Sequence, residues 1–476
     1  MVTISLVPRA LGPAAYGAFE FLFAFFQPVI GLLDMGTSTC FYTKASQRQD
    51  DAGLLRRYFL FVLLMSIVVM VVTLALAISP GRETIWPGQS ILLIGLACVV
   101  ALLTWGTQVV QKSLDAHGIT LLSERILLFQ RLIAIASLLL LFAVGLLVLE
   151  NYFYYFVCIH VGLLFAWWRL IRQAGIANPK LPGKYVKPLG EYVREFYDYS
   201  HPLFVYALVG LIAGIADRWL LQRYAGSVEQ GYFGLAFRVG AVCFLFTSAM
   251  TQLLTREFSR AWGELDLAKM GRLFQRYVPL FYAIAAYFSM FVVVRGDDIA
   301  LLFGGYEYTT GSLALSIMAL NPMHQTYGHL SGAVFYASGQ TRLYRNVGVG
   351  SMLAGLPIIY FMIAPPDLGG MMLGAVGLAA KTVALQFVTV NIYLWFNVRM
   401  LKLDFAWFLR HQLFVAAGFG LFACVSVWVI GLLGLPLFWD FLLSGMAYTV
   451  LVAIAGYYVP AIFGFEQKSF ARFKTI

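Results

Sequence analysis

Residues 58–79 read YFLFVLLMSIVVMVVTLALAIS and contain no charged side chain. An α-helix rises about 1.5 Å per residue, so a run of this length crosses a bilayer core of about 30 Å. Hydrocarbon offers no hydrogen bonds to an exposed backbone, and the run lacks the alternating polar pattern of a barrel strand. The stretch therefore predicts a transmembrane helix.

The same pattern recurs along the chain. Of the 476 residues, 61% are hydrophobic and 12% are charged, and that charged fraction is about half the value of a soluble domain. The predicted fold class is all-α, a polytopic transmembrane helix bundle. Hydropathy predicts thirteen full spans, at about 16–43, 57–79, 89–111, 126–149, 152–170, 201–222, 231–255, 277–294, 312–338, 347–364, 371–397, 412–434 and 441–462.

The net charge of +10 is concentrated in alternate loops. Because Lys and Arg are enriched on the cytoplasmic side, these loops predict a multi-pass membrane protein with its basic loops in the cytoplasm and explain the charge without a nucleic-acid partner. The cytoplasmic clusters are Lys44, Arg48, Arg56 and Arg57, then Arg169, Arg172, Lys180, Lys184, Lys187 and Arg194, then Arg256, Arg260, Lys269, Arg272 and Arg276, and finally Lys468, Arg472 and Lys474.

An internal repeat divides the spans. Residues 9–19 (RALGPAAYGAF) resemble residues 223–234 (RYAGSVEQGYFG), about 215 residues later. In each copy a cation ends one helix, a short glycine-containing turn follows, and an aromatic residue opens the next helix. Repeats of this kind are common in secondary transporters, which bind their substrate between the repeats.

The repeat and the basic, proline-containing stretch 171–200 define the expected domains. These are an N-terminal lobe at 1–170, a cytoplasmic linker at 171–200, a C-terminal lobe at 201–397, and residues 398–476 with two additional helices and a tail. Each lobe is expected to contribute six spans. The apolar segment Met1 to Pro8 is too short to cross a bilayer, so it is expected to be the end of a truncated first helix, which gives about fourteen spans.

These features resemble a known family. The segment RALGPAAYG at 9–17, followed by Asp34-Met35-Gly36 and a basic loop, is similar to the opening of the Wzx-type polysaccharide transporters. These are the O-antigen and exopolysaccharide flippases of the multidrug/oligosaccharidyl-lipid/polysaccharide exporter superfamily. The resemblance implies a multi-pass protein of the bacterial cell inner membrane. Its implied activity is alternating-access transport of an undecaprenyl-diphosphate-linked oligosaccharide from the cytoplasmic to the periplasmic face, without a cofactor. Membrane lipids and polysaccharide polymerase or assembly proteins are the other partners it implies.

Other functions compete with this interpretation. Ion-coupled efflux of drugs or metabolites, by the related exporter branch, predicts an acidic or apolar cavity. An enzyme acting on the same lipid predicts a long extracytoplasmic loop, whereas the longest here is about 295–311. The chain also lacks a phosphate-binding glycine loop and a His-Glu-x-x-His motif, so it is expected not to be an enzyme. A scaffold predicts that charges in the spans are dispensable.

Cations inside the spans are the first candidates for a substrate site, because a charge near the bilayer midplane costs about 2.5–3.5 kcal/mol and usually faces a cavity or a partner. Lys381 lies about ten residues into its span, and Arg238 about two turns into another. With Arg218 and Arg9 at matching helix ends, they are predicted to attract a diphosphate or an acidic sugar. The alternatives are an ion pair for Lys381, snorkelling for Arg238 and surface positions for the other two.

Acidic residues of the spans suggest ion coupling. Asp34, Glu20 and Asp217 are candidates, since a desolvated carboxylate holds a proton or a sodium ion more readily. For Asp34 the alternative is local helix packing through hydrogen bonds. The five cysteines lie inside apolar spans without paired spacing, so neither a disulfide nor a metal site is predicted.

A polar stripe interrupts the span at 312–338. It contains Asn321, His324, Gln325 and His329, of which the first, third and fourth follow one another at four-residue steps. Such a stripe can hydrogen-bond sugar hydroxyls or supply a titratable histidine. Hydrogen bonding between helices, worth about 0.6 kcal/mol per contact, is the alternative.

Overall fold

The described part of the chain is built almost entirely of helices. The structure is a computed structural model that describes residues 2–34, 37–47, 51–174 and 188–464. Within these ranges there is no β-strand, and ten helices are long and apolar enough to cross a membrane. This confirms the predicted all-α transmembrane bundle. Most of the predicted linker (175–187), Met35-Gly36, Arg48 and the C-terminal cations lie outside the described residues.

The chain divides into two compact units, residues 1–230 and 231–476. The predicted lobe boundaries at 170 and 200 stay predictions. The helices of the first unit are α1 (Val2–Asp34), α2 (Thr37–Gln47), α3 (Ala52–Ile78), α4 (Arg82–Ile85), α5 (Ile91–Ala116), α6 (Thr120–Ala143), α7 (Leu149–Gln173) and most of α8 (Leu189–Gly263).

The second unit contains the end of α8 and the remaining helices. These are α9 (Leu267–Val294), α10 (Gly296–Gly304), α11 (Ser312–Met318), α12 (Asn321–Ala337), α13 (Thr341–Ile363), α14 (Gly374–Met400), α15 (Phe405–Gly431) and α16 (Leu437–Tyr458). Short 3-10 helices lie at Tyr306–Gly311, Pro366–Leu368 and Pro460–Phe463.

The repeated motif produces the same backbone break in both copies. Gly12 interrupts α1 with φ 71° and ψ 168°, and Gly226 interrupts α8 with φ 83° and ψ −177°. Each glycine stands three residues after the arginine that begins its motif, Arg9 or Arg223. Residues with a Cβ rarely adopt such a positive φ, so glycine permits the change of direction between two helical segments. The internal repeat is thus visible in the backbone as well as in the sequence.

Some helix boundaries differ from the predicted ones. Hydropathy predicted spans at 126–149 and 152–170, whereas α6 ends at Ala143 and α7 begins at Leu149. The residues that connect these helices, Val144 to Val148, are themselves apolar apart from a glycine. A hydropathy window cannot separate such a turn from the end of a helix, which explains the shift.

Two helices of the first unit expose mainly apolar side chains. On α3, Leu63 and Val71 are 57% and 59% exposed, and on α6, Phe129 and Leu132 are both 66% exposed. Soluble monomers rarely present continuous apolar surface of this extent. Lipid is therefore the natural solvent for these faces.

The core of the second unit is centred on α9. Its buried side chains pack with those of α12, α14, α15 and α16. The two helices that follow the predicted repeat, α15 and α16, are thus part of this core. The hydroxyl of Tyr448 on α16 donates a hydrogen bond of 2.9 Å to the backbone oxygen of Tyr287 on α9.

A buried ion cluster ties the end of α9 to α16. The Arg295 side chain is 7% exposed, and its guanidinium is 2.7 Å from a carboxylate oxygen of Asp298 and also pairs with Asp440. The same guanidinium donates to the Ser444 hydroxyl at 2.8 Å. Removing one partner from a buried pair leaves the other charge uncompensated, so this cluster stabilises the docking of α16.

We expect Arg295→Gln to lower the free energy of unfolding by up to about 3–5 kcal/mol, because two partly buried carboxylates, with side chains 25% and 14% exposed, lose their counter-charge. The matched control is Arg410→Gln, whose side chain is 75% exposed and 3.7 Å from Asp404. That change should cost less than about 1 kcal/mol. Denaturation of both variants in detergent, followed by circular dichroism, measures the difference. Equal losses would contradict a stabilising role for the Arg295 cluster.

Candidate functional site

Lys381 lies in the interior of the second unit, between two packed helices. It belongs to α14, which packs against α13, and it is 8% exposed. Its neighbour on α13 is Gly355, where an added Cβ would stand 3.0 Å from Lys381 Cε and 3.2 Å from Nζ. The absence of a side chain at Gly355 therefore provides the room that the lysine stem and ammonium group occupy.

Arg238 lies in the same unit as Lys381, half-buried on α8. Two residues further along, Gly240 allows α8 to approach α11 closely: an added Cβ would stand 3.3 Å from the backbone oxygen of Met318. Arg238 is thus held on a helix segment whose position is fixed by backbone packing. The second unit contains two of the four predicted lumenal cations.

The other two predicted cations belong to the first unit. Arg218 is half-buried and donates a 3.2 Å hydrogen bond to Gln230 Oε1, while Gln230 Nε2 donates back to the Arg218 backbone oxygen. These bonds connect the helical segments on either side of Gly226. Arg9 is exposed on the segment of α1 that precedes Gly12.

Asp34 lies at the centre of a polar network in the first unit. Its Oδ1 accepts a 3.0 Å hydrogen bond from Trp105 Nε1, and its Oδ2 accepts a 2.7 Å bond from the Ser38 hydroxyl. The Lys112 ammonium group also donates to that hydroxyl. Three helices, α1, α2 and α5, thereby meet at one carboxylate, with a cation linked to it through Ser38.

The three predicted coupling carboxylates do not form one cluster. Glu20 is 4% exposed and precedes Asp34 by fourteen residues of α1, which corresponds to about 21 Å along the helix axis. Asp217 is half-buried on α8. A single ion therefore cannot contact both Glu20 and Asp34.

The polar stripe occupies two faces of α12. Asn321 and Gln325 are half-buried and His329 is exposed, with its ring 4.9 Å from that of Phe244. His324 is instead 8% exposed. Adjacent residues of a helix point about 100° apart. His324 and Gln325 therefore face different surroundings, and the sequence had grouped them together.

His324 belongs to a set of polar groups that we call the polar core: Tyr282, His324, Tyr327 and Gln412, which are buried, and Asn391, which is half-buried. These residues lie on α9, α12, α14 and α15. The Tyr282 hydroxyl donates to the Gln412 backbone oxygen at 3.3 Å, and Gln412 Nε2 donates to Asn391 Oδ1 at 3.1 Å. The polar core spans the contact between the repeat helices and the first additional helix.

Sequence analysis missed several residues that the structure brings to the candidate sites. Trp105 and Lys112 lie near Asp34 but far from it along the chain, so no local pattern connects them, whereas the four-residue spacing of Ser38 from Asp34 was an available signal. Gly355 is one of 44 glycines. For Asn391 and Gln412 a signal exists, namely an amide within an apolar span, which usually has a partner on another helix.

Chemically, these groups can bind charged and polar ligands. Among residues 2–34, 37–47, 51–174 and 188–464, no group of three or more His, Cys, Asp or Glu side chains is arranged to hold a metal ion. Lys381 and Arg238 give the second unit a cationic character in its spans, whereas the first unit places a carboxylate, Asp34, in its network.

Solved structures with a similar fold are transporters. The lipid II flippase MurJ, in an inward closed conformation, is similar with a TM-score of 0.64 at 14% identity over 95% of each chain. An inward-facing multidrug resistance MATE family transporter of the MOP superfamily gives 0.59 at 15% identity, over 84% of this chain and 92% of the other. A MOP superfamily transporter from Pyrococcus furiosus gives 0.54 at 14% identity, over 83% and 90%. The fold is that of this superfamily.

The family follows from the sequence match. Residues 1–254, more than half of the chain, match the family model described as polysaccharide biosynthesis protein. The chain belongs to this family, which confirms the resemblance drawn from its opening motif. No curated protein matches the sequence.

We expect Gly355→Ala to destabilise the protein by about 1–3 kcal/mol, because the new methyl group would stand 2.9 Å from Leu385 Cδ1 and 3.0 Å from Lys381 Cε. The control is Gly350→Ala on the same helix, where an added Cβ meets nothing within 4 Å. In a Lys381→Ala background part of the cost of Gly355→Ala should disappear, since Cε and Nζ are then absent while Leu385 Cδ1 remains. Thermal unfolding in detergent of wild type, Gly355→Ala, Lys381→Ala and the double variant gives the coupling free energy between the two positions. A coupling of zero would contradict the described contact.

Proposed function

We propose that this multi-pass membrane protein is a flippase that moves an undecaprenyl-diphosphate-linked oligosaccharide from the cytoplasmic to the periplasmic face by alternating access. Its membership of a polysaccharide biosynthesis family supports the proposal, as does the fold that it shares with a lipid II flippase. The observation that carries the proposal is Lys381, a lysine buried between two apolar helices of the second unit.

The substrate class follows from what each part of such a lipid costs to move. The polyprenyl tail is apolar and dissolves in hydrocarbon, whereas the diphosphate and the sugars lose their hydration there. A transporter therefore has to shelter the head group alone. Cations in a low-dielectric cleft attract a diphosphate more strongly than the same cations do in water. Lys381 is proposed to supply this attraction, with Arg238 as a second cation of the same unit.

The first unit is proposed to contribute ion coupling rather than diphosphate binding. Asp34 is a carboxylate held by Trp105 and Ser38 inside the unit. An ion that competes for these oxygens would loosen the contact of α1 with α2 and α5. Arg9 and Arg218 lie in the same unit, and substrate binding by them remains a proposal. Ion coupling by Glu20 and Asp217, also in this unit, remains one as well.

Efflux of organic cations is the competing transport function, because MATE transporters share the fold. The charge of the side chains within the spans distinguishes efflux of organic cations from transport of a diphosphate-linked lipid. An organic cation is repelled by Lys381 and Arg238, whereas a diphosphate is attracted. The helices α9, α11, α12, α13, α14 and α15 of the second unit contain no Asp or Glu. This composition favours an anionic substrate.

We expect Lys381→Ala to lower translocation of the lipid-linked oligosaccharide by about tenfold or more, since a charge-assisted contact to a buried group is worth about 1.5–3 kcal/mol. Lys381→Arg should retain part of the activity. The control is Lys402→Ala, which removes an exposed lysine just after the same helix. The measurement is the ratio of the cytoplasmic to the periplasmic pool of the lipid in a deletion strain that carries each variant.

The outcomes separate the functions. Accumulation on the cytoplasmic face that wild type and Lys402→Ala relieve, but Lys381→Ala does not, supports a flippase with a cationic site. An unchanged lipid distribution in the deletion strain, together with lost resistance to cationic drugs, would instead establish efflux.

A further inference from the structure

Two arginines near the end of α7 are stacked on exposed aromatic rings. The guanidinium carbon of Arg169 lies 4.6 Å from the centroid of the Phe165 ring, and that of Arg172 lies 3.7 Å from the centroid of the Trp168 ring. The two rings are themselves stacked, with their centroids 6.1 Å apart. All four residues are exposed. They therefore form one continuous surface, which we call the arginine patch.

The other face of α7 fixes the direction in which the arginine patch points. Its buried side chains belong to a hydrophobic cluster that α7 shares with α5, and they are Leu163, Trp167, Leu170 and Ile171. The Trp167 indole also donates a hydrogen bond of 3.4 Å to the backbone oxygen of Ser123 on α6. Because this face is packed inside the first unit, the arginine patch faces the surroundings of the protein.

The arginine patch lies at one end of a candidate membrane span. Arg172 is in the last turn of α7, and Phe165 precedes the last residue, Gln173, by eight residues, or about 12 Å along the helix axis. The predicted topology places this end at the cytoplasmic surface. Aromatic rings are enriched at this depth, and an arginine there extends its charged end to the lipid head groups. The patch is thus at the level of the lipid phosphates.

The positive charge of the arginine patch is not neutralised within the described parts of the chain. Neither guanidinium has a carboxylate partner there, whereas two other exposed arginines do: Arg260 lies 2.9 Å from Glu264, and Arg410 lies 3.7 Å from Asp404. The sequence agrees, because residues 151–190 contain no Asp or Glu. An anion that pairs with the patch therefore comes from outside the protein, and the anions available at this depth are lipid phosphates.

Stacking leaves the guanidinium groups able to bind a phosphate. An aromatic ring contacts the flat face of a guanidinium, whereas the N–H donors lie in its plane and form a fork that fits two phosphate oxygens. The rings of Phe165 and Trp168 also restrict the two arginine side chains, so less rotamer freedom is lost when a phosphate binds. A zwitterionic head group carries a cation next to its phosphate, which two neighbouring arginines repel. Anionic head groups lack this cation.

We propose that the arginine patch binds the phosphate of an anionic phospholipid in the cytoplasmic leaflet. Phe165 and Trp168 lie beside the first carbons of its acyl chains, and Arg169 and Arg172 donate hydrogen bonds to its head group. The sequence that follows α7 adds Lys180, Lys184 and Lys187 without an acidic residue, and such a basic segment is attracted to the same lipids. The bound lipid holds this end of the first unit at the membrane surface, whatever the protein transports.

The test is photo-crosslinking of the full-length protein in phosphatidylcholine nanodiscs that contain a small, equal amount of photoactivatable phosphatidylglycerol or phosphatidylcholine. Mass spectrometry of peptic peptides measures the lipid attached to residues 165–173. We expect phosphatidylglycerol to label this segment roughly fivefold more than phosphatidylcholine, or better, and the ratio to fall to about one in Arg169→Gln/Arg172→Gln. The matched control, Arg260→Gln/Arg410→Gln, removes two arginines that have carboxylate partners and should keep the wild-type ratio.

Three results would overturn the inference. Equal labelling of wild type by both lipids would show no preference for an anionic head group, and an equal loss in the control variant would show that only net charge matters. Undecaprenyl diphosphate, added at about one tenth of the phosphatidylglycerol, should leave the labelling unchanged, whereas loss of most of it would make the patch a substrate site. If the double arginine variant fails to fold, Trp168→Leu replaces it: the ratio should fall although both charges remain, and a wild-type ratio would contradict the stacked site.

Discussion

A hydrogen-bonding group without a partner in hydrocarbon costs several kcal/mol, and this cost organises the whole molecule. Backbone groups escape it by forming helices, which explains why the described chain contains no strand. Polar side chains avoid this cost by packing against one another in the interior of a unit. Arg295, Asp34 and the polar core are each buried or half-buried among several helices, while α3 and α6 present apolar side chains outward.

The two units place candidate site residues of opposite charge in their interiors. In the first unit, Asp34 is bound by an indole and a hydroxyl, and Lys112 reaches the same hydroxyl. In the second unit, Lys381 lies over Gly355, and the nearby polar core is neutral. The two halves of the repeat thus have different polar interiors. This difference is consistent with the proposed roles: the carboxylate of the first unit for ion coupling and the lysine of the second unit for diphosphate binding.

The sequence predicted the features that depend on local composition. Apolar runs predicted the helices, and the motif shared by residues 9–19 and 223–234 predicted a repeat that the breaks at Gly12 and Gly226 display. It also singled out Lys381 by its depth. It could not predict that Gly355 makes room for this lysine, or that Trp105 binds Asp34, because these contacts join distant parts of the chain. For the same reason His324 was placed in a stripe rather than in the polar core.

Head-group charge is the property that the account depends on, and reconstituted vesicles test it directly. Purified protein would be supplied with a short polyprenyl-diphosphate disaccharide or with an otherwise identical polyprenyl glycoside that lacks the diphosphate, and the disaccharide reaching the opposite leaflet would be measured with an impermeant reagent. The account predicts that the protein accelerates crossing of the diphosphate-linked lipid and leaves the neutral one near the protein-free rate. Equal acceleration of both lipids, or of neither, would contradict it.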